Sequence, residues 1–234
     1  MLPVWLKRFL GALERGVSLQ DVGRSAQFTA VVGRVARTLA RTGATPNALT
    51  MLSLIPALMA AVFAARGAFA WSVVFMLLSG LMDLLDGPLA RATGRSSRFG
   101  ALLDSTLDRI SDALPLIGLT IFFARDGWGW AAAVPSFALL AGYTVSYVRA
   151  RCEGLAIALP PLWMRRGDRI ALVAVSLLAG TIAPILVLTG TALVGVLSLL
   201  AAADALRVAQ RECRVADAAA PAEARSTSSG SSAV

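Results

Sequence analysis

Six apolar segments, each close to the length of a bilayer crossing, constrain the fold of this chain more than any other feature. A helix needs roughly 20 mostly apolar residues to cross the hydrocarbon core. Of the 234 residues, 57% are hydrophobic, more than is usual for a soluble domain. We therefore predict an all-α, polytopic membrane protein with six transmembrane helices. The predicted spans are about 47–65, 70–90, 99–123, 129–150, 169–188 and 190–208.

The regions that flank these segments differ from them in composition. Residues 1–41 mix basic and apolar side chains, so we expect an N-terminal amphipathic arm with a helix in the membrane interface. Thr45 and Pro46 predict the start of the first span, as N-cap and first helical residue. We assign 42–210 to the six-helix domain and expect 211–234 to be a disordered tail. Only Thr189 and Gly190 separate the last two spans, which predicts a tight hairpin there.

The basic residues predict the orientation of the chain. Nineteen of the 22 Lys and Arg residues lie in the N-terminal arm, the loops 91–98 and 149–169, or the tail, whereas the opposite loops hold only Arg66 and Arg125. Cytoplasmic loops carry such an excess, so both termini should face the cytoplasm. The net charge of +8 lies between apolar segments and forms no basic stripe on a polar domain. We therefore expect contacts with the bilayer of the cell's inner or plasma membrane and none with nucleic acid.

Five aspartates interrupt the apolar sequence between residues 80 and 112. Asp83 and Asp86 are one helical turn apart, whereas Asp104, Asp108 and Asp112 repeat every four residues along one side of a second helix. A single charge at membrane depth costs roughly 2.5–3.5 kcal/mol on insertion scales. Five negative charges in two neighbouring segments therefore predict a bound cation. With both segments meeting at the 91–98 loop, the site should lie just below the cytoplasmic surface.

The absence of histidine restricts the chemistry available to such a site. The chain has no His and two Cys, which excludes imidazole catalysis and a zinc site built from those ligands. A metal bound only by oxygen favours Mg²⁺, Mn²⁺ or Ca²⁺. Asp112 lies deepest, and two interpretations stay open for it. It either takes part in the site or pairs with Arg109 or a neighbouring helix.

Eight residues of this stretch have the spacing D-x2-D-G-x2-A-R-x8-G-x3-D-x3-D. They are Asp83, Asp86, Gly87, Ala90, Arg91, Gly100, Asp104 and Asp108. The pattern resembles the signature of the CDP-alcohol phosphotransferase, or CDP-alcohol phosphatidyltransferase, family. That resemblance implies an N-terminal amphipathic helix, six transmembrane helices, usually in a homodimer, and transfer of a phosphatidyl group from CDP-diacylglycerol to a hydroxyl with release of CMP.

The resemblance also implies roles for individual residues. Four carboxylates would hold Mg²⁺ or Mn²⁺, as two ions, and Asp108 would be the general base. The nucleotide of the lipid donor would lie against the glycines and the arginine of the signature. The sequence Pro-Asn-x-x-Thr at the start of the first span resembles a further family element near the nucleotide. The implied metal ligands are Asp83, Asp86, Asp104 and Asp108, and the implied nucleotide-site residues are Asn47, Thr50, Gly87, Ala90, Arg91 and Gly100.

The acceptor is indicated by arginines near the cytoplasmic end of the fourth and fifth segments. They either bind a phosphorylated acceptor or only mark the headgroup level of the membrane. The stretch Ser-Tyr-Val-Arg-Ala-Arg-Cys-Glu-Gly resembles that of phosphatidylinositol phosphate synthases, which implies inositol 1-phosphate as the acceptor. A phosphatidylglycerophosphate synthase using glycerol 3-phosphate is the alternative. The arginines are Arg149, Arg151, Arg165, Arg166 and Arg169.

A carboxylate-lined cation transporter is the alternative from another functional class. Aspartates inside a membrane suit ion transport. However, the acids cluster at one end of two segments, and no pair of broken helices in related halves accompanies them. The sequence therefore favours an enzyme.

Overall fold

A computed structural model describes residues 26–125, 127, 129–160 and 163–229, and all regular structure in these ranges is helical. The predicted all-α class is therefore confirmed for the described residues. The helices are α1 (Ala26–Arg41), α2 (Pro46–Leu52), α3 (Leu54–Ala65), α4 (Phe69–Thr93), α5 (Arg98–Arg125), α6 (Ala133–Gly154), α7 (Arg166–Gly180) and α8 (Pro184–Ser229), with a 3₁₀ turn at Gly129–Ala132.

The two ends of the chain are described only in part. Residues 1–25 of the predicted amphipathic arm lie outside the described residues. Helix α1 covers the rest of the arm and packs on α4, where Ala36 and Leu89 are buried together. Helix α8 continues beyond residue 211, as far as Ser229. The placement of the arm in the interface and the division at 41 and 210 stay predictions.

The first span begins as its sequence predicts. Thr45 is the N-cap, and its Oγ1 accepts a hydrogen bond from the Ala48 N–H at 3.3 Å. Pro46 follows as the first helical residue, where its missing N–H has no cost. Only Ser53 separates α2 from α3, and together the two helices form an apolar stretch from Pro46 to Ala65.

Four helical stretches of the described chain are long and apolar enough to cross a membrane. They are Pro46–Ala65, Phe69–Thr93, Gly129–Gly154 and Pro184–Val215. The predicted span at 99–123 is a helix of sufficient length, but it carries three aspartates and Arg109. The predicted span at 169–188 corresponds to α7, which has only 15 residues. The structure therefore supports a membrane protein with several spans, and the count of six stays a prediction.

The predicted hairpin at Thr189 and Gly190 is wrong. Helix α7 ends at Gly180 and α8 begins at Pro184, so the turn lies eight residues earlier. Proline favours the first turn of a helix and cannot continue a preceding one. Gly190 instead lies within α8 at a close contact with α7, where an added Cβ would be 2.6 Å from the Ser176 Cβ.

Close helix contacts also place α5 against α3. A Cβ added to Gly118 would lie 2.8 Å from the Ala64 Cβ, so only glycine allows this approach. The main core next to it contains Phe69, Leu119 and Phe123, all nearly inaccessible. Many large apolar side chains on the outer helix faces are exposed, as expected where lipid replaces water.

Candidate active site

The predicted metal ligands converge where α4 and α5 lie side by side. Asp83 projects from α4, and Asp104 and Asp108 project from α5, one turn apart. Each of the three offers a carboxylate oxygen that lies within 4.8 Å of the other two. All three side chains are partly buried. Residues 21 and 25 positions apart in the sequence are thus brought to a spacing at which one ion can be shared.

The fourth predicted ligand, Asp86, is held from the first span. The Thr50 hydroxyl donates a hydrogen bond of 2.7 Å to Asp86 Oδ2. Asp86 is 8% exposed and Thr50 only 3%. A hydrogen bond to a buried carboxylate orients it as well as stabilising its charge. The five aspartates Asp83, Asp86, Asp104, Asp108 and Asp112 are here called the acidic cluster. Thr50, which resembled a nucleotide-site residue in sequence, therefore contacts one of them directly.

A guanidinium from α7 joins three of the aspartates. Arg166 Nη1 lies 3.0 Å from Asp83 Oδ2 and 2.8 Å from Asp108 Oδ2. Its Nε donates to both carboxylate oxygens of Asp112 at 3.2 Å. Arg109, one of the partners considered for Asp112, instead donates from Nη1 to the Ser105 carbonyl and hydroxyl oxygens. Asp112 is therefore paired across helices, with an arginine 54 residues away.

The acidic cluster fits a divalent cation. Asp108 Oδ1 is one of two buried polar side-chain atoms in the described chain that have no hydrogen-bond partner, the other being Ser198 Oγ. A buried carboxylate oxygen without a partner is costly unless a ligand satisfies it. The oxygen-only donor set matches hard ions such as Mg²⁺ and Mn²⁺. Asp83, Asp104 and Asp108 offer the oxygens that lie close enough to share an ion, whereas this group does not include Asp86, whose role as a fourth ligand stays a prediction.

One side of the cluster opens into a pocket of about 210 Å³, here called the glycine pocket. Asp86 and Asp104 face it. A Cβ on Gly100 would lie 3.1 Å from Asn47 Oδ1, whereas a Cβ on Gly87 would make an ordinary contact with Arg91. The pocket brings together all six predicted nucleotide-site residues, namely Asn47, Thr50, Gly87, Ala90, Arg91 and Gly100.

The other side of the cluster opens into a smaller cavity of about 70 Å³, here called the arginine pocket. Asp83 and Asp112 face it, together with Arg109, Arg166 and Arg169. Asp108 lines neither pocket. The cluster therefore separates two pockets of different chemistry. Asp108 has a carboxylate oxygen within 4.8 Å of those of Asp83, which lines the arginine pocket, and Asp104, which lines the glycine pocket.

Only two of the five predicted acceptor arginines, Arg166 and Arg169, lie at the arginine pocket. Arg149 is exposed and pairs with Glu153 at 3.4 Å, one turn along α6. Arg151 is also exposed. Arg165 is the N-cap residue of α7, where its backbone N–H donates to Asp168 Oδ2 at 2.9 Å.

Sequence reasoning missed three contributors to the arginine pocket. Sequence reasoning names Arg109 only as a partner for Asp112, gives Tyr143 no role, and includes Ser146 only as the first residue of the stretch that resembles phosphatidylinositol phosphate synthases. The Tyr143 hydroxyl donates to the Arg109 carbonyl oxygen at 3.3 Å. Ser146 Oγ accepts a hydrogen bond of 3.2 Å from Arg169 Nη2. Ser146 and Tyr143 are one turn apart on α6, and that spacing was the available signal.

The sequence model of the CDP-alcohol phosphatidyltransferase family matches residues 43–203, well over half of the chain. The chain belongs to this family. The matched region contains both pockets and all five aspartates, so membership covers the whole site and not only the signature. The predicted family is confirmed, and with it the assignment as a transferase.

Curated relatives of this CDP-alcohol phosphatidyltransferase include enzymes from bacteria and archaea. A phosphatidylinositol phosphate synthase of Streptomyces avermitilis is 38% identical over 217 residues, which are 87% of each protein. An archaetidylinositol phosphate synthase of Pyrococcus horikoshii is 37% identical over 145 residues, which are 60% of this chain and 72% of the relative. A cation transporter is not favoured by these matches.

Solved structures of a phosphatidylinositol phosphate synthase share the fold. The Mycobacterium tuberculosis enzyme with CDP-DAG bound has a TM-score of 0.72 and 26% identity, over 77% of this chain and 94% of that chain. The same enzyme in complex with manganese and citrate has a TM-score of 0.70 and 27% identity, over 76% of this chain and 88% of that chain. A divalent ion in the second structure agrees with the carboxylate cluster of this CDP-alcohol phosphatidyltransferase.

Proposed function

We propose that this protein transfers the phosphatidyl group of CDP-diacylglycerol to inositol 1-phosphate and releases CMP. One observation carries the proposal: an acidic cluster lies between a glycine pocket and an arginine pocket. The phosphatidylinositol phosphate synthases among its relatives, and the CDP-DAG bound by one of them, support the same donor and acceptor.

The glycine pocket would bind the cytidine diphosphate part of the donor. The absence of a side chain on Gly100, together with Asn47, shapes the wall near Asp104. Arg91 offers a planar pair of donors suited to phosphate oxygens. Outside the pocket, exposed apolar helix faces can accompany the acyl chains of the donor into the bilayer.

The carboxylates of the cluster would hold divalent ions, Mg²⁺ or Mn²⁺. Bound ions would supply charge neutralisation for the pyrophosphate and for the leaving CMP. Two divalent ions would match the formal charge of the site, because five aspartates and Arg166 sum to four negative units when all of them are ionised. The four residues that would hold these ions are Asp83, Asp86, Asp104 and Asp108.

Asp108 is placed to act as the general base. It has a carboxylate oxygen within 4.8 Å of those of Asp83 and Asp104, one at each pocket, and its Oδ2 is fixed by Arg166 while Oδ1 is buried without a hydrogen-bond partner. The acceptor hydroxyl would lose its proton to Asp108, and its oxygen would form a bond to the β-phosphorus of the donor. The bond from this phosphorus to the oxygen of CMP would break, and CMP would leave with that electron pair.

The arginine pocket would bind the phosphate of the acceptor. A phosphate monoester carries about −1.5 to −2 charge at neutral pH. Arg109 and Arg169 line the pocket and form no ion pair with a carboxylate in the described part of the chain. A neutral acceptor such as inositol would bring no negative charge to these two half-buried guanidinium groups.

The site would lie on the cytoplasmic side of the membrane, with both termini there. The distribution of Lys and Arg supports this orientation. A homodimer is implied only by resemblance to the family. Reporter fusions at each terminus and cross-linking in native membranes would test the orientation and the dimer separately.

Release of CMP by the purified protein tests the reaction. With CDP-diacylglycerol and Mg²⁺, we expect turnover with inositol 1-phosphate and none with glycerol 3-phosphate, inositol or serine. Chelation of Mg²⁺ should abolish turnover, and added Mg²⁺ or Mn²⁺ should restore it. Asp108→Asn should lower the rate by at least about 100-fold, the usual contribution of a positioned base. Asp204→Asn, the same change outside the cluster on α8, should retain the wild-type rate.

Other outcomes would contradict specific parts of the proposal. Turnover with glycerol 3-phosphate in place of inositol 1-phosphate would retain the family and overturn the acceptor. Wild-type turnover by Asp108→Asn would overturn its role as base. No CMP from any acceptor, in protein shown to be folded and to bind Mg²⁺, would overturn the proposed reaction.

A further inference from the structure

Arg166 differs from the other arginines of its pocket because its guanidinium already pairs with three carboxylates. We propose that Arg166 is a positioning residue for the metal ligands and does not bind the acceptor phosphate, and this inference rests on the proposed function. It separates Arg166 from Arg169, with which the sequence grouped it. It also gives Asp112, which is outside the signature, the role of holding Arg166.

The contacts of Arg166 tie three helices together at the acidic cluster. Its Nη1 lies between Asp83 Oδ2 on α4 and Asp108 Oδ2 on α5, at 3.0 and 2.8 Å. Its Nε is held by both oxygens of Asp112, one turn beyond Asp108. The guanidinium is planar, so fixing Nε also fixes the direction of Nη1. A lysine ammonium has no such fixed fork.

These contacts leave the other face of the cluster available to a metal. Both aspartates use Oδ2 toward Arg166, while Asp108 Oδ1 is buried and has no hydrogen-bond partner. Partners that bind the second oxygen of a ligand set its orientation, and their loss typically lowers metal affinity by about 10–100-fold. Arg166 thus occupies the position of such a partner for two ligands at once.

The same contacts make Arg166 a poor acceptor ligand. Three carboxylates surround its single positive charge, so a dianionic phosphate would be repelled by them. Arg169 lines the same pocket, but its Nη2 is bonded to the neutral hydroxyl of Ser146. Its charge is therefore available to the acceptor, as is that of Arg109.

A purely Coulombic role and a positioning role of Arg166 predict opposite changes in cation affinity when Arg166 is removed. Deleting a positive charge beside a cation site should by itself tighten cation binding. If Arg166 positions the ligands, its loss should weaken binding instead. Arg169→Gln is the matched control, because it removes the same charge from the same pocket without disturbing an ion pair to the cluster.

The measurement is Mn²⁺ affinity of the full-length protein in detergent, from the electron paramagnetic resonance signal of free Mn²⁺. We expect Arg166→Gln to weaken Mn²⁺ binding by at least about tenfold, and Arg169→Gln to leave it unchanged or tighter. Calorimetric titration with inositol 1-phosphate at saturating Mn²⁺ gives the second readout. There, Arg169→Gln should weaken binding by at least about tenfold, the loss expected for a charged hydrogen bond, whereas Arg166→Gln should bind like the wild type.

Arg166→Lys is a second variant that keeps the test informative if Arg166→Gln does not fold. It retains the charge but cannot hold Asp112 and bridge Asp83 and Asp108 together, so its Mn²⁺ affinity should also fall. Thermal unfolding and size-exclusion elution would establish that each variant is folded.

Three results would overturn the proposal. The first is Mn²⁺ affinity in Arg166→Gln equal to or tighter than in Arg169→Gln. The second is wild-type Mn²⁺ affinity in Arg166→Lys, because charge alone would then suffice. The third is loss of inositol 1-phosphate binding in Arg166→Gln at saturating Mn²⁺. Failure of the proposed function is distinguishable, since wild-type Mn²⁺ affinity in Asp104→Asn would overturn the metal site itself.

Discussion

Replacing Thr50 with valine tests whether the first span supports the acidic cluster. Valine retains the branched shape of threonine and lacks the hydroxyl. That hydroxyl has a single proton and two acceptors nearby, Asp86 Oδ2 at 2.7 Å and the Pro46 carbonyl oxygen at 3.0 Å. The shorter contact to a carboxylate is the stronger one, so we place the proton there. The variant therefore removes one charge-assisted hydrogen bond from a carboxylate that is 8% exposed.

The size of the effect follows from this single bond. Hydrogen bonds to charged groups contribute about 1.5–3 kcal/mol. At 1.4 kcal/mol per tenfold, this corresponds to a factor of about 10–150. Loss of a partner of a metal ligand commonly costs about 10–100-fold in affinity or activity. We therefore expect Thr50→Val to lower kcat/KM for CMP release, and Mn²⁺ affinity, by about 10–100-fold.

The control and the refuting result are defined by the same contact. Thr50→Ser retains the hydroxyl, so both quantities should stay within about threefold of the wild type, less than the loss of a charged hydrogen bond. Wild-type kcat/KM and Mn²⁺ affinity in Thr50→Val would show that the hydrogen bond does not orient Asp86. A loss of the same size in both variants would point to packing of the side chain and also contradict the reasoning.

Two glycine substitutions test packing and the glycine pocket. Gly118→Ala should destabilise the protein by about 1–3 kcal/mol, the usual range for overpacking, because its Cβ would lie 2.8 Å from the Ala64 Cβ. Gly80→Ala, which has no atom within 4 Å of the added Cβ, should retain the wild-type Tm, and equal thermal unfolding of the two variants would contradict the packing argument. Gly100→Ala should raise KM for CDP-diacylglycerol more than it lowers kcat, since its Cβ would press on Asn47 Oδ1 at 3.1 Å. A lower kcat with unchanged KM would argue against nucleotide binding there.

The acidic cluster and the glycine pocket could be predicted because their information is local. Spacings of three and four residues place aspartates on one helix face. Asp83 and Asp104 come from consecutive helices, so a short loop suffices to bring them together. The signature then identified the family, which no periodicity would have done.

The role of Arg166 could not be predicted because its contacts are not local. It lies 83 residues from Asp83 and 54 from Asp112, and no spacing rule connects residues so far apart. In sequence it is one of five arginines between or near the fourth and fifth predicted spans. Only the entry of α7 beside α4 and α5 distinguishes it from Arg165, whose backbone caps the same helix.

The predicted position of the last turn, at Thr189 and Gly190, was wrong for a different physical reason. Glycine breaks helices in water but also permits close packing inside a membrane protein, and sequence alone does not separate these uses. Gly190 serves the second, against Ser176. Pro184, six residues earlier, was the better signal of a helix start.

The aspartates around the site distinguish the arginine that pairs with them from the two arginines that would bind a ligand. Arg166 is surrounded by carboxylates of the cluster, so its charge is part of the balance that would fix the number of bound ions. Arg109 and Arg169 face the same pocket and form no ion pair with a carboxylate in the described chain, so a negatively charged ligand in the pocket can pair with them. A phosphorylated acceptor brings that counter-charge and a neutral one does not. Preference for a phosphorylated alcohol would therefore follow from which arginines the aspartates leave available, and not from the number of arginines in and beside the loop between α6 and α7.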